Sequence, residues 1–334
     1  MVPLHDFCEL VCKFTRIMQP SYTPQGASSR PPTIGGLTML VGFVLIGGVI
    51  STYLLLGILA LAKGMDFTGI QAYLKQLISN PAALSGSWYE LMLVQGVNHL
   101  GTYLLPSLLY WYWIERRTWH QFNNRPVSAV AGIGLVVLIV ISFMPFDSLI
   151  IEWNQNLHLP ETLSPVEQWM RNQEKSLAGM SKFLTTFQGP DQLIIAMLVI
   201  GVIASIGEET LFRGILQRNL TVWTGNPHIG IWLAAALFSA IHVQFLGFFP
   251  RMLLGALFGY LYLWSGNLWV PILAHFVNNG FTVLMVYMHQ KKLVSVDIER
   301  TESIPMAGVL VSGLITLGLL VYFQKRNQQR ALTD

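Results

Sequence analysis

The chain has 334 residues, of which 53% are hydrophobic and 11% are charged, whereas about 25% of the residues of an ordinary soluble domain are charged. This composition excludes a water-exposed surface over most of the chain, and several apolar runs exceed the roughly 18 residues that a spanning helix needs. The net charge of +3 is too small and too dispersed for a nucleic-acid-binding protein. The basic residues are typical of anchors at membrane flanks.

The segment 1–36 precedes the first long apolar run and contains both cysteines, Cys8 and Cys12. Two cysteines cannot form a disulfide framework of any size. Together with His5 they form either a small metal-binding cluster or part of an amphipathic segment with apolar sulfurs. Charges are scattered through this region and interrupt any apolar core, so no signal peptide is visible and we expect the first span to remain in the mature protein.

Hydropathy predicts an all-α polytopic integral membrane protein with about eight transmembrane helices. The second ends in the aromatic residues 111–113 followed by Arg116 and Arg117, which is typical of a cytoplasmic interface. Pro145 is expected to end the third span. The predicted spans cover residues 37–61, 88–114, 127–144, 192–218, 227–245, 250–265, 268–289 and 306–323.

Two further features of this pattern concern the membrane surface. A charged segment would be out of place in the hydrocarbon core, so residues 167–182 are predicted to form a helix on the membrane surface. Lys325 and Arg326 are expected to end the last membrane span. An even number of spans puts both termini on one side, and the excess of Lys and Arg predicts that this side is the cytoplasm and the membrane the plasma membrane.

Ionisable side chains inside a bilayer are costly and are functional candidates by default. They cluster in the last third of the chain, as Glu208, Glu209 and Arg213 in the fourth span, His242 in the fifth and His275 in the seventh. At a rise of about 1.5 Å per residue, these groups lie roughly 12 to 21 Å from the ends of their helices. Three helices therefore bring acids and imidazoles to similar depth, as a catalytic pocket requires.

Each of these residues also has a simpler interpretation. A lone intramembrane histidine usually bonds a neighbouring helix, and Asn279 alone is a common interhelical contact. Glu209 and Arg213 are four residues apart on one helix face, which favours an ion pair. Two adjacent glutamates exceed what one arginine requires, so Glu208 is left over and can serve as a general base.

The residues form an ordered set of motifs. Glu208, Glu209 and Arg213 read as EExxxR, Phe238 and His242 as FxxxH, and His275 and Asn279 as HxxxN. Together, in this order, they resemble the CPBP family, which comprises the type II CAAX prenyl endopeptidases and the related bacteriocin-processing and immunity proteins. The resemblance covers roughly residues 192–289.

This resemblance implies an eight-helix intramembrane protease fold and assigns roles to the motif residues. Glu208 would activate the hydrolytic water with help from His242, His275 and Asn279 would stabilise the oxyanion, and Arg213 would hold Glu209. Hydropathy and the motifs together divide the chain into an N-terminal cytoplasmic segment (1–36), the first helices with the surface segment (37–189), a CPBP-like catalytic core (190–290), and the last helix with its tail (291–334).

The need for a cofactor is open at this stage. Catalytic zinc usually takes three protein ligands, and Glu208, His242 and His275 would supply them. No HExxH pattern occurs, and a glutamate-activated water needs no metal. We favour the metal-free mechanism, which requires no cofactor, and keep zinc as the alternative.

The predicted function is an intramembrane endopeptidase that acts on membrane-associated or lipidated peptides and proteins, with membrane lipid as its surroundings and no nucleic-acid partner. A non-catalytic scaffold or bacteriocin-immunity protein is the first alternative, because it would bind a peptide without cutting it. A proton-coupled transporter is the second, since Glu and His also form proton relays. It is disfavoured because the two halves of the chain show no repeat. The sequence names neither the substrate nor the oligomeric state.

Overall fold

The structure is a computed structural model that describes residues 33–126, 130–295 and 305–333, and the cluster considered at Cys8 and Cys12 lies outside these residues. The described residues fold into helices and form no strand, so the all-α prediction is confirmed. The longer helices are α1 (Ile34–Lys63), α2 (Phe67–Ser79), α3 (87–114), α4 (Val130–Gln155), α5 (Ser164–Leu184), α6 (Pro190–Thr224), α7 (Pro227–Ala240), α8 (Phe248–Ser265), α9 (Trp269–Gln290) and α10 (Met306–Thr333).

Six helices of the described chain, α1, α4, α6, α8, α9 and α10, are long and apolar enough to cross a membrane. They identify an integral membrane protein, but the predicted count of eight is not confirmed. Helix α3 carries the polar residues Gln95, Asn98 and His99 in its middle. Helix α7 has 14 residues, and its rise of about 21 Å is shorter than the roughly 30 Å hydrocarbon core.

The predicted end of the third span at Pro145 is wrong, and the last helix extends beyond its predicted span. Pro145 lies inside α4. A proline removes one backbone hydrogen bond, but Val140 before it and Phe146 after it belong to one apolar cluster with α8, α9 and α10, and this packing holds the helix on both sides. Helix α10 continues past Lys325 and Arg326 to Thr333, because Lys and Arg are good helix formers that end a membrane span and not a helix.

The charged segment predicted on the membrane surface forms the amphipathic helix α5. Glu167 near its start accepts from Arg171 at 2.8 Å and from the backbone N–H of Leu159 at 2.8 Å. These bonds tie the first turn of α5 to the preceding loop. Hydropathy does not predict α2, because that helix is amphipathic and too short for a span.

The helices that carry the motif residues meet in one apolar core. Phe212 and Ile215 of α6, Phe238 of α7 and Ile272 of α9 are all buried in the same cluster. Helix α8 approaches closely through Gly259, where a Cβ would lie 2.8 Å from Ile231 of α7. Gly259 therefore packs α8 against α7 within one chain.

Two glycines set the distance between α1 and α3. A Cβ at Gly47 would overlap the carbonyl oxygen of Gly101, and a Cβ at Gly101 would overlap Cβ of Ser51. The backbones of the two helices therefore touch at this crossing. Small residues are the usual means by which membrane helices approach so closely.

We expect Gly47→Ala to lower the melting temperature in detergent, because the methyl group must push α3 away, and overpacking of this kind costs about 1–3 kcal/mol. Gly57→Ala on the same helix is the matched control, since nothing lies within 4 Å of a Cβ at that position. The control should be neutral or slightly stabilising, because alanine favours helix over glycine. Equal melting temperatures for the two variants would contradict the close α1–α3 crossing.

Candidate active site

Helix α6 carries two buried glutamates in a stretch of irregular helical geometry. Glu208 and Glu209 end a short α-helical stretch, Ala204–Glu209, that lies between π-helical stretches at Met197–Ile203 and Thr210–Gln217. Such π-helical geometry is rare and occurs frequently at functional sites. Glu208 is 5% exposed and Glu209 is 0% exposed, so both carboxylates depend on donors from the protein.

Glu209 forms the buried ion pair that its spacing from Arg213 predicts. Its Oε1 accepts from Arg213 Nη1 at 2.7 Å and from His275 Nδ1 at 2.8 Å. The guanidinium lies 4.7 Å from the ring centre of Phe238 and 5.5 Å from that of Phe258, which adds cation–π attraction. The arginine is thus neutralised by one carboxylate and held between two aromatic rings.

Glu208, the other acid, faces histidines. Its Oε1 lies 3.0 Å from Nε2 of His99 on α3, and its Oε2 lies 3.9 Å from Nε2 of His275 on α9. The second distance is too long for a direct hydrogen bond, but one water can bridge two polar groups at such a separation. The structure therefore brings Glu208 and His275 close enough for one water to contact both.

The hydrogen bonds of His275 restrict what this residue can do. The carboxylate of Glu209 accepts, so Nδ1 of His275 donates to it. Nε2, which faces Glu208, is then an acceptor in the neutral ring and a donor in the imidazolium. The ring also stacks on Phe258, with centroids 5.3 Å apart, so its orientation is fixed from two sides.

His242 lies in the turn after α7, which ends at Ala240, and not inside the fifth span as expected. Val243, the next residue, has a φ of 53°, a left-handed conformation that cannot continue a helix. The Nδ1 of His242 donates to the carbonyl of Phe238 at 2.7 Å. The Phe238 ring contacts both His242 and His275, with centroid distances of 5.0 Å and 6.1 Å, so the two histidines flank one aromatic side chain.

Asn279 takes a different place from the one its spacing suggests. Its Nδ2 donates to the carbonyl of Ile200 at 3.0 Å, and its Oδ1 accepts from Asn278 at 3.2 Å. Ile200 lies in the first π-helical stretch of α6. Within the described part of the chain, these are the side-chain hydrogen bonds of Asn279, and neither joins it to Glu208 or His275.

The three candidate zinc ligands, Glu208, His242 and His275, do not form a ligand set as their side chains stand. Among the described residues, no three His, Cys, Asp or Glu side chains are arranged to hold a metal ion. The zinc alternative stays a prediction, which the chelator experiment below would test.

The sequence reasoning missed His99. This histidine lies in the apolar second span, and the rule that flags ionisable residues inside a bilayer applies to it as well. The motif residues cluster in the last third of the chain, however, and His99 lies outside that cluster. Its spacing gives no hint of a partner, since Glu208 is 109 residues away.

An apolar groove of about 1050 Å³ lies between α1, α2 and α3. Val49, Leu56 and Ile70 are among its walls, and its polar end contains His99 and Tyr103. Because His99 also contacts Glu208, the groove ends beside the buried carboxylate.

Two kinds of comparison place part of this chain among known proteins. Residues 190–281 match the family described as type II CAAX prenyl endopeptidase, Rce1-like. This segment contains the six candidate site residues, Glu208, Glu209, Arg213, His242, His275 and Asn279. Helices α1 to α5, with His99 and the groove, lie outside the match.

Two curated proteins of Bacillus subtilis are similar over shorter segments. The "Uncharacterized protein YpbD" is 32% identical over 116 residues, which is 34% of this chain and 54% of YpbD. The "Putative membrane peptidase YdiL" is 29% identical over 91 residues, which is 27% of this chain and 37% of YdiL. The matches thus span about half or less of these relatives, and no solved structure matches the chain.

Proposed function

Because residues 190–281 belong to the Rce1-like family of type II CAAX prenyl endopeptidases, we propose that the protein is a membrane endopeptidase in which Glu208 activates water. The observation that carries this proposal is the division of labour between the two glutamates. Glu209 neutralises Arg213 at 2.7 Å, and Glu208 turns Oε2 towards His275 across 3.9 Å. A carboxylate that is not neutralised by an arginine is suited to act as a general base.

In the proposed reaction, a water lies beside Oε2 of Glu208. The carboxylate takes one proton from this water while the water oxygen attacks the carbonyl carbon of the scissile peptide bond. The Nε2 of His242 orients the water, since its Nδ1 is already committed to the Phe238 carbonyl. When the tetrahedral intermediate collapses, Glu208 passes its proton to the leaving amine, and the second product is a carboxylic acid.

The oxyanion of this intermediate requires donors. His275 in its imidazolium form presents an N–H at Nε2 while Nδ1 stays on Glu209. Asn279 uses one amide hydrogen for the Ile200 carbonyl, and we assign the other to the oxyanion. Donors aimed at developing charge are worth about 10²–10³-fold in rate each.

The test is a cleavage assay with the full-length protein in detergent and a peptide library, each peptide with and without an attached lipid chain, and with and without a chelator. We expect cleavage that persists in chelator. Loss of cleavage in chelator, restored by added zinc, would overturn the metal-free mechanism and keep the endopeptidase. Tight peptide binding without any cleavage would overturn the endopeptidase and favour the scaffold.

A lipidated or otherwise membrane-embedded substrate is the finer part of the proposal, and the groove supports it. Gly57 lines the groove, and nothing lies within 4 Å of a Cβ built there. We expect Gly57→Phe to fill the groove and to raise KM for lipidated peptides about tenfold or more, with little change for soluble peptides.

Gly42→Phe is the matched control, because Gly42 lies on the same helix, has equally open surroundings and does not line the groove. An unchanged KM in Gly57→Phe, or equal effects of the two variants, would remove the groove from substrate binding. The plasma-membrane location and cytoplasmic termini stay predictions, which labelling of single cysteines from each side of the membrane would test.

A further inference from the structure

We propose that His99 is a positioning residue that holds the Glu208 carboxylate in the orientation that water activation needs. The inference rests on the proposed function, because Glu208 is the base assigned there. It adds a third histidine from a helix, α3, that lies outside the residues matched by the family. The proposal concerns how Glu208 is held and assigns His99 no contact with substrate.

Both ring nitrogens of His99 are engaged. Nδ1 lies 3.1 Å from the carbonyl oxygen of Gln95, and Nε2 lies 3.0 Å from Oε1 of Glu208. A carbonyl oxygen only accepts, so Nδ1 carries a hydrogen. Nε2 then either donates to an ionised Glu208 or accepts from a protonated one. In both cases one proton lies between Nε2 and Oε1, and Oε1 is committed to His99.

This commitment decides which carboxylate oxygen is available. With Oε1 held by His99, Oε2 is the oxygen that faces His275. The terminal torsion of a glutamate is broad and would otherwise let the carboxylate turn. A catalytic group displaced by about 1 Å can lose about 10²-fold in rate, so an anchor on the opposite oxygen has a direct effect on the base.

The local geometry of α3 and α6 brings His99 into contact with α6. A π-helical stretch, Leu100–Leu104, begins directly after His99. On α6, Gly207 lets the helices touch, since a Cβ there would lie 3.2 Å from Cβ of Tyr103. The Tyr103 ring packs against the His99 ring with centroids 5.3 Å apart. These contacts fix the position and the rotation of the imidazole.

A purely structural bond between α3 and α6 is the competing explanation. Replacing a buried polar or ionic pair by apolar side chains of similar volume is often neutral or stabilising, so fold stability alone gives little reason for this pair. Arg213 and His275 both bond Glu209, so the hydrogen bond from His99 serves Glu208 alone. The geometry therefore points to the positioning of Glu208 as the role of His99.

The test compares His99→Leu and His99→Gln in the full-length protein in detergent. We expect His99→Leu to lower kcat about 10²-fold, because the Glu208 carboxylate can then turn away from the position that water activation needs. KM should stay within about twofold of wild type, because the substrate contacts remain. His99→Gln should retain kcat within about tenfold, because its side-chain N–H can still donate to Glu208. His228→Gln is the control, a histidine on α7 that bonds the Tyr260 hydroxyl at 3.0 Å, and its kcat should be unchanged.

A second measurement does not depend on activity. Melting temperatures of His99→Leu, Glu208→Gln and the double variant form a cycle, and we expect non-additive shifts because the two residues are in contact. Additive shifts, a normal kcat in His99→Leu, or equal losses in both His99 variants would overturn the proposal and leave Glu208 as the base. A wild type that cuts no peptide, with non-additive shifts, would overturn the proposed function and keep the positioning of Glu208 by His99.

Discussion

Glu208→Gln is expected to lower kcat/KM by at least about 10³-fold, near the upper range for loss of a general base. The amide keeps the size of the side chain and can still accept a hydrogen bond from His99, but it cannot take a proton from water. Peptide binding and folding should therefore stay close to those of the wild type. Cleavage rate, peptide affinity and melting temperature in detergent measure the three effects separately.

The matched control is Glu152→Gln, at an exposed glutamate in the last turns of α4. The same change of chemistry there should leave kcat/KM unaltered, because this exposed side chain forms none of the hydrogen bonds that hold Glu208, Glu209 or His275. Near-normal cleavage by Glu208→Gln would end the assignment of this residue as base. A large loss of melting temperature in Glu208→Gln would mean that its role is structural.

Glu209→Gln is expected to lower the free energy of unfolding by about 3–5 kcal/mol, since removing one partner of a buried ion pair leaves an uncompensated charge. Glu209 neutralises Arg213 and also holds His275 Nδ1 at 2.8 Å. The variant should therefore express poorly, melt at a lower temperature, and lose activity even where it folds. Denaturation in detergent and the yield of folded protein measure the effect.

The chain offers a matched surface pair. Arg171 and Glu167 on α5 are also four residues apart and 2.8 Å from each other, but water reaches them, so the surface pair contributes little. Glu167→Gln should change the melting temperature far less than Glu209→Gln. A double variant, Glu209→Leu with Arg213→Met, should recover part of the loss because neither charge of the pair remains. Wild-type stability of Glu209→Gln would contradict the buried pair.

Much of the architecture follows from the sequence by local rules. The low fraction of charged residues and the long apolar runs predicted an all-α membrane protein, because a bilayer leaves helices as the economical way to satisfy the backbone. The four-residue spacing of Glu209 and Arg213 predicted their ion pair, because such residues share one helix face. Both inferences need only the period of a helix and the polarity of its surroundings.

Tertiary structure decided the details of the site. The end of α7 at Ala240 puts His242 in a turn, and Asn279 bonds the carbonyl of Ile200 on another helix. Neither is visible in hydropathy, because the spacing within one helix does not reveal which neighbour it faces or where a left-handed residue will end it. Hydropathy does not determine the number of membrane-spanning helices for the same reason, since short or polar helices are stabilised by the helices that they contact.

The partner of Glu208 shows the limit most clearly. The sequence identified a spare carboxylate, but His99 is 109 residues away and belongs to no motif. Their contact depends on a glycine at 207, a π-helical stretch after His99, and the packing of α3 against α6. Local periodicity determines which helix face a residue occupies, whereas contacts between distant helices depend on close packing of backbones, which only the folded chain determines.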